Sequence, residues 1–238
     1  MIFASIAIGF LFSFLYLFET IGYIFRLIGR RHGLASLGYS IHVQCASSAR
    51  MFTFFAYPVV GYLLDLNVSY IYIAIMIVLT SSIFIIFMTL ILINYDLTYH
   101  YANRFFIWYT QKFYKIAQYK SGIKLNHQFH SLEIIKNKYF YISAFIAFFI
   151  VVIGVFTSIF MAALYHEKRA MFLQASALFT SLGTLISIFY FDPKLSTYID
   201  EDNMTFDVIK AAFLSRYYAM ITILILFLLV IFLNFHSG

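Results

Sequence analysis

Residues 68–94 read VSYIYIAIMIVLTSSIFIIFMTLILIN, an apolar run that contains no charged side chain. About 20 mostly apolar residues are enough for a helix to cross the hydrocarbon of a bilayer, so this stretch is read as a membrane-spanning helix. Working outward, runs of similar length and character recur at 2–25, 35–64, 139–165, 170–191 and 209–235, with the charges gathered between them. The chain is 63% hydrophobic and only 11% charged, whereas a water-soluble domain is about half apolar and a quarter charged. The expected fold class is an all-α integral membrane protein with about six transmembrane helices. The run at 35–64 is the most polar of the six and is expected to be tilted or broken.

Charge sets the expected orientation. Arg26, Arg30 and Arg31 follow the first span, and Arg104, Lys112, Lys115, Lys120, Lys124, Lys136 and Lys138 follow the third. Both loops fall on one side, and an excess of Lys and Arg marks the cytoplasmic side. Both termini are therefore expected outside. Residues 95–138 interleave those cations with Tyr101, Phe105, Trp108, Tyr109 and Phe113, a composition suited to an amphipathic segment lying among lipid headgroups. The expected organisation is a first transmembrane half at 1–94, this basic loop at 95–138, and a second transmembrane half at 139–238.

Several classes of function are disfavoured. The net charge of +6 resides in inter-span loops, where it sets topology and meets anionic lipid headgroups, so membrane lipids rather than nucleic acid are the expected partners. Cys45 is the only cysteine, which excludes an internal disulfide and reads as packing. His127 and His130 lack a third ligand, and no metal is expected. The first eighteen residues carry no Lys or Arg before their apolar run and no small-residue cleavage site, so they are expected to remain as the first span. No Walker loop, G-x-S-x-G, H-E-x-x-H or Asp-Asp-x-x-Asp pattern occurs, so neither a catalytic residue nor a cofactor is expected.

The two prolines, Pro58 and Pro193, lie 135 residues apart, and each is followed seven residues later by an aspartate, Asp65 or Asp200. At the same offset Ala35 faces Ala170, Phe54 faces Phe189, Ile24-Phe25 faces Ile159-Phe160, and Phe10 and Phe14 face Phe145 and Phe149. Spans one to three then register with spans four to six. With three crossings between equivalent helices, the halves would be inverted repeats, as in many transporters.

Charged groups at membrane depth usually face a cavity or a partner. Glu19, Arg50 and Arg216 qualify. Together with Thr20, His42, Gln44 and Ser48 they are expected to line a polar path, and whether Glu19 and Arg50 form a buried pair stays open. Arg50 is the leading candidate to bind substrate, because its planar fork of donors matches phosphate oxygens. Arg26, Arg30 and Arg31 would gather the same group at the cytoplasmic mouth. A structural bridge between Glu19 and Arg50, with Arg216 snorkelling, is the competing explanation. Small residues at Gly33, Ala35, Ser36, Gly38 and Ser40, and at Ala175, Ser176, Ser181 and Gly183, are expected to let helices approach closely.

The run from Glu19 and Thr20 to Arg26, followed by Arg50, Pro58, Gly61 and Asp65, resembles the first half of the Amj family of alternate lipid II flippases. The segment around Asp192, Pro193 and Asp200 is similar to its second-half signature. The likeness is clearest over residues 18–66 and weaker over 165–202, and this chain departs from the pattern in placing Ala49 between Ser48 and Arg50. The resemblance implies translocation of an undecaprenyl-diphosphate-linked peptidoglycan precursor across the bacterial cytoplasmic membrane, with Pro58, Gly61, Asp65, Pro193 and Asp200 as hinge or structural positions. A flippase for another polyprenyl-linked glycan (teichoic acid, capsule or O-antigen), a membrane enzyme acting on polyprenyl phosphates, and a purely structural subunit stay open at this point. So does a homodimer, which would widen a path framed by six short helices.

Overall fold

A computed structural model describes residues 2–114, 138–200 and 205–237, and among these all regular structure is helical. In chain order the helices are α1 (Ile2–Arg31), α2 (Ala35–Ala49), α3 (Met51–Asp65), α4 (Tyr70–Ile93), α5 (Tyr95–Tyr114), α6 (Lys138–Leu164), α7 (Arg169–Ile186), α8 (Asp192–Asp200) and α9 (Thr205–Ser237). Five stretches are long and apolar enough to cross a bilayer: Phe3–Arg31, Tyr70–Ile93, Lys138–Leu164, His166–Asp200 and Val208–Asn234. The protein thus has the architecture of a helical membrane protein.

The remaining expected span, 35–64, is broken at Arg50 into two 15-residue helices. The polar sequence of α2, ASLGYSIHVQCASSA, explains why it does not make an apolar rod. At the junction the Arg50 amide donates to Ser47 O at 3.2 Å, and the Thr53 amide and hydroxyl both donate to Arg50 O. These three-residue hydrogen bonds tighten one turn without ending the helical path.

The fifth span runs on past residue 191 to Asp200 through a wide π turn at Ser187–Phe191. The turn lets Pro193 occupy the first turn of α8, where a missing N–H is harmless. Pro58, by contrast, lies inside α3, where it removes a main-chain donor.

Two turns have definite chemistry. Gly33 (φ +70°) follows α1, with its amide bonded to Arg30 O and that of Leu34 to Gly29 O. Asn67 (φ +54°) follows α3 with the same pair of bonds, from Asn67 to Leu64 O and from Val68 to Leu63 O. Both are Schellman ends, which call for a left-handed residue and hence Gly or Asn.

Helices α1, α4, α6 and α9 form the centre: α4 packs on α9, α1 on α4, and α6 on α9. Phe12, Tyr16, Phe84, Phe148, Phe156 and Phe213 fill the space between them, all 4% exposed or less. The interrupted pairs stand outside this core, α2–α3 against α1 and α7 against α6. Glycine makes both contacts close. A Cβ on Gly38 would lie 2.8 Å from Gly29 Cα, and one on Gly183 would lie 2.7 Å from Ala147 O. Of the small residues singled out in the sequence, Gly38 and Gly183 are thus points of helix contact, whereas Ala35 and Ser36 are exposed.

Helix α5 lies against the end of α1. It buries Tyr95, Tyr99, Ala102, Phe106 and Thr110 and exposes Tyr101, Phe105, Trp108 and Phe113. Arg31 donates to Tyr99 Oη at 3.3 Å, and His32 meets Asn103 at 2.7 Å. The rest of the basic loop, including His127 and His130, lies outside the described residues.

Candidate functional site

Where α2–α3 and α7 face one another across α1 and α6, they enclose a cavity of about 510 Å³. One face of the broken helix lines it with His42, Ala46, Arg50, Thr53 and Tyr57, and one face of α7 and the π turn with Thr180, Gly183, Thr184, Ser187 and Ile188. The back wall is Tyr16 and Glu19 of α1 with Ala147 and Phe148 of α6, and Arg216 reaches in from α9. The two lining helices barely touch each other, apart from Tyr57 meeting Ser176. The front is therefore a slot. Arg50, Thr180, Thr184 and Ile188 line the cavity and are nevertheless exposed, because they stand at this slot.

Each charged group is held differently. Arg216 donates from Nη1 to Thr20 Oγ1 at 3.1 Å and from Nη2 to Tyr23 Oη at 3.0 Å, and its guanidinium carbon lies 4.8 Å from the ring centres of both Tyr23 and Phe148. Thr20 can accept because its own hydroxyl donates to Tyr16 O at 2.7 Å. His42 is buried against Tyr23, with ring centres 4.4 Å apart. Glu19 faces the cavity within the electrostatic reach of Arg216 and Arg50. Glu19 and Arg50, whose pairing the sequence leaves open, form no salt bridge among the described residues, because Arg50 stands at the helix junction, toward the slot.

At one end of the cavity its lining residue Asp192 is held by Arg26, which is 5% exposed. Its Nη1 meets Asp192 Oδ1 at 2.7 Å and its Nη2 donates to Ser196 Oγ at 2.6 Å. Ser187 donates to the other Asp192 oxygen at 3.2 Å, and Tyr23 packs edge-on against Phe191. At the opposite end Phe12 meets Tyr57 and Phe156 in edge-on contacts.

The expected site residues separate cleanly. Glu19, His42, Arg50 and Arg216 converge on the cavity, and Thr20 supports Arg216. Gln44 and Ser48 do not take part: both are exposed, and Gln44 accepts from Tyr109 Oη at 2.8 Å. Helical geometry explains this, since 42, 46 and 50 share one face while 44 and 48 lie about 200° around from 42 and 46. Arg30 is engaged with Asp200, its Nε 3.6 Å from Oδ1, and Arg31 with Tyr99. Asp65 pairs with Arg169 at 3.5 Å, and Gly61 has open space where a side chain would be.

Sequence reading noted Asp192 in the second-half signature but not as a site residue, and it missed Tyr23, Tyr57 and the α7 hydroxyls Thr180 and Thr184. Asp192 and Tyr57 carried a usable signal, because each immediately precedes one of the two prolines.

Arg50 and Arg216 thus line the cavity with two carboxylates, Glu19 and Asp192, and Arg26 stands beside it on Asp192. The excess is cationic, and of these three guanidinium groups only that of Arg50 makes no hydrogen bond among the described residues. Such a site can take up an anionic group with several acceptor oxygens. No protein family matches the chain, and neither a characterised protein nor a solved structure is similar to it.

Proposed function

We propose that this chain is a flippase that moves a polyprenyl-diphosphate-linked glycan from the inner to the outer leaflet of the bacterial cytoplasmic membrane. Lipid II is the specific substrate, on the strength of the sequence resemblance. The observation that carries the reading is Arg50: a guanidinium with no hydrogen bond or salt bridge among the described residues, at the junction of an interrupted helix pair, lining the cavity at a slot that opens sideways. A charge at that depth needs a partner, and a lipid diphosphate arriving from the bilayer supplies one. The slot leaves the polyprenyl chain in the hydrocarbon while the head group occupies the cavity. A volume of about 510 Å³ is in the usual range for a ligand pocket; it suits the diphosphate and the first sugar, with the remainder of the glycan projecting beyond it.

Alternating access needs two comparable halves. Helix α2 begins at Ala35 and α7 at Arg169, within one residue of the 135-residue offset. Packing follows the same exchange, α1 on α2 with α6 on α7, and α1 on α4 with α6 on α9. The second helix of each half is interrupted near its middle, at Arg50 and at the π turn. Interrupted helices flanking a central site are a transporter feature.

With the basic loop inside, the Asp200 end of the bundle is cytoplasmic and both termini are external. Outward movement of negative charge is then favoured by about 2.3 kcal/mol per charge per 100 mV. The protein itself needs no ATP for this.

Complementation tests the reading. In cells depleted of their essential lipid II flippase, the wild-type chain restores growth and Arg50→Ala at matched membrane abundance does not. Rescue by both would remove Arg50 from the mechanism. Rescue by neither would reject lipid II in favour of another polyprenyl-linked glycan.

A further inference from the structure

The two aspartates that recur at the 135-residue offset are each bound to an arginine of the opposite half. Asp65, at the end of α3, meets Arg169 Nη1 of α7 at 3.5 Å. Asp200, in α8, meets Arg30 Nε of α1 at 3.6 Å and accepts from Arg30 Nη2 through its carbonyl at 3.2 Å. Neither link is solitary. Arg169 also bonds Asn67 and lies 2.6 Å from His166 Nδ1. Near Arg30, Arg26 holds Asp192 and Ser196 at 2.7 and 2.6 Å.

We infer that these are two ionic latches, one at each end of the cavity, and that opening the site to one side of the membrane requires releasing the latch at that end. This rests on the transport reading for its purpose but not for its geometry. Each latch joins the mobile partners that alternating access would separate, since α3 and α8 are the outer portions of the interrupted helices and their arginines come from the other half. In the described structure both ion pairs are formed.

The two latch pairs are themselves similarly exposed, Arg30 and Asp200 at 38% and 65% and Arg169 and Asp65 at 19% and 81%, but the Asp200 end is backed by the more buried pair of Arg26 (5%) and Asp192 (31%). Exposed pairs contribute little, while breaking one side of a buried pair strands a charge. The Asp65 end therefore opens more readily. At the Asp200 end Asp192 itself lines the cavity, so an anionic head group arriving there competes with it for Arg26. Release of the tighter latch is thereby tied to the presence of substrate.

The test is sided labelling of a cavity cysteine, Thr184→Cys in a Cys45→Ser background, in sealed vesicles of known orientation. The probe is a membrane-impermeant maleimide. Asp65→Asn raises labelling from the Asp65 side alone by about threefold, the range of an exposed ion pair. Asp192→Asn with Asp200→Asn raises it from the opposite side alone, and by more. Exchanging the charges, Arg169→Asp with Asp65→Arg, returns labelling to the parent level, which separates a latch from general loosening. Unchanged labelling, or both variants opening the same side, would overturn the inference. No lipid substrate takes part, so a protein that labels as expected but flips nothing would refute the transport reading and leave the latches standing.

Discussion

Arg26 and Arg50 carry the same group in opposite circumstances. Arg26 is buried and committed to Asp192 and Ser196, while Arg50 is exposed to the slot and uncommitted. Arg26→Ala strands a half-buried carboxylate and is expected to lower stability by about 1–3 kcal/mol, seen as an earlier thermal transition in detergent. Removing both partners, Arg26→Ala with Asp192→Ala, costs less than the single change. Arg50→Ala removes no hydrogen bond or salt bridge among the described residues, so its unfolding transition stays within about 0.5 kcal/mol of wild type. A large destabilisation by Arg50→Ala would mean that the residue is structural. The convergence of Glu19, His42, Arg50 and Arg216 was legible because charged or polar side chains in apolar runs must be accommodated somewhere. Their pairing was not, since which arginine approaches Glu19 depends on how α9 packs, and no local pattern encodes that.

Helix contacts give sharper expectations than helix lengths. Gly38 lies against the backbone of Gly29, so Gly38→Leu forces α1 and α2 apart and costs about 1–3 kcal/mol or more. Gly61 faces open space, and Gly61→Ala is expected to stabilise α3 slightly, by up to about 1 kcal/mol, through helix propensity. Thermal melting of the two variants distinguishes them, and equal effects would contradict the packing described. Helices α1, α4, α6 and α9 were readable from hydropathy because long apolar runs admit one structure in a bilayer. The second and fifth spans were read less well for a physical reason. Ser, Gln, His and Arg in α2 dilute the apolar signal, and Asp192-Pro193 imitates a helix end, whereas a π turn carries the chain through it to Asp200.

Taken whole, the molecule is a four-helix core flanked by two interrupted helices, with a cationic cavity between them and an ion pair at either end. Charge movement through such a body should respond to voltage. Flipping of an anionic lipid from the Asp200 side is expected to quicken when that side is made negative, by an amount bounded by about 2.3 kcal/mol per charge per 100 mV. The proposed repeat rests in the sequence on Pro58, Asp65, Pro193 and Asp200. What the aspartates hold was not legible there, because Arg169 and Arg30 do not recur at the same offset.

The central claim is that a lipid-linked diphosphate crosses the membrane through the Arg50 cavity. Purified protein in vesicles carrying a fluorescent polyprenyl-diphosphate glycolipid, with an external quencher reporting the accessible fraction, measures this directly. The account predicts exchange between leaflets for the wild type and loss of that exchange, down to the rate of protein-free vesicles, for Arg50→Ala. Exchange by Arg50→Ala at the wild-type rate, or none by the wild type, would contradict it.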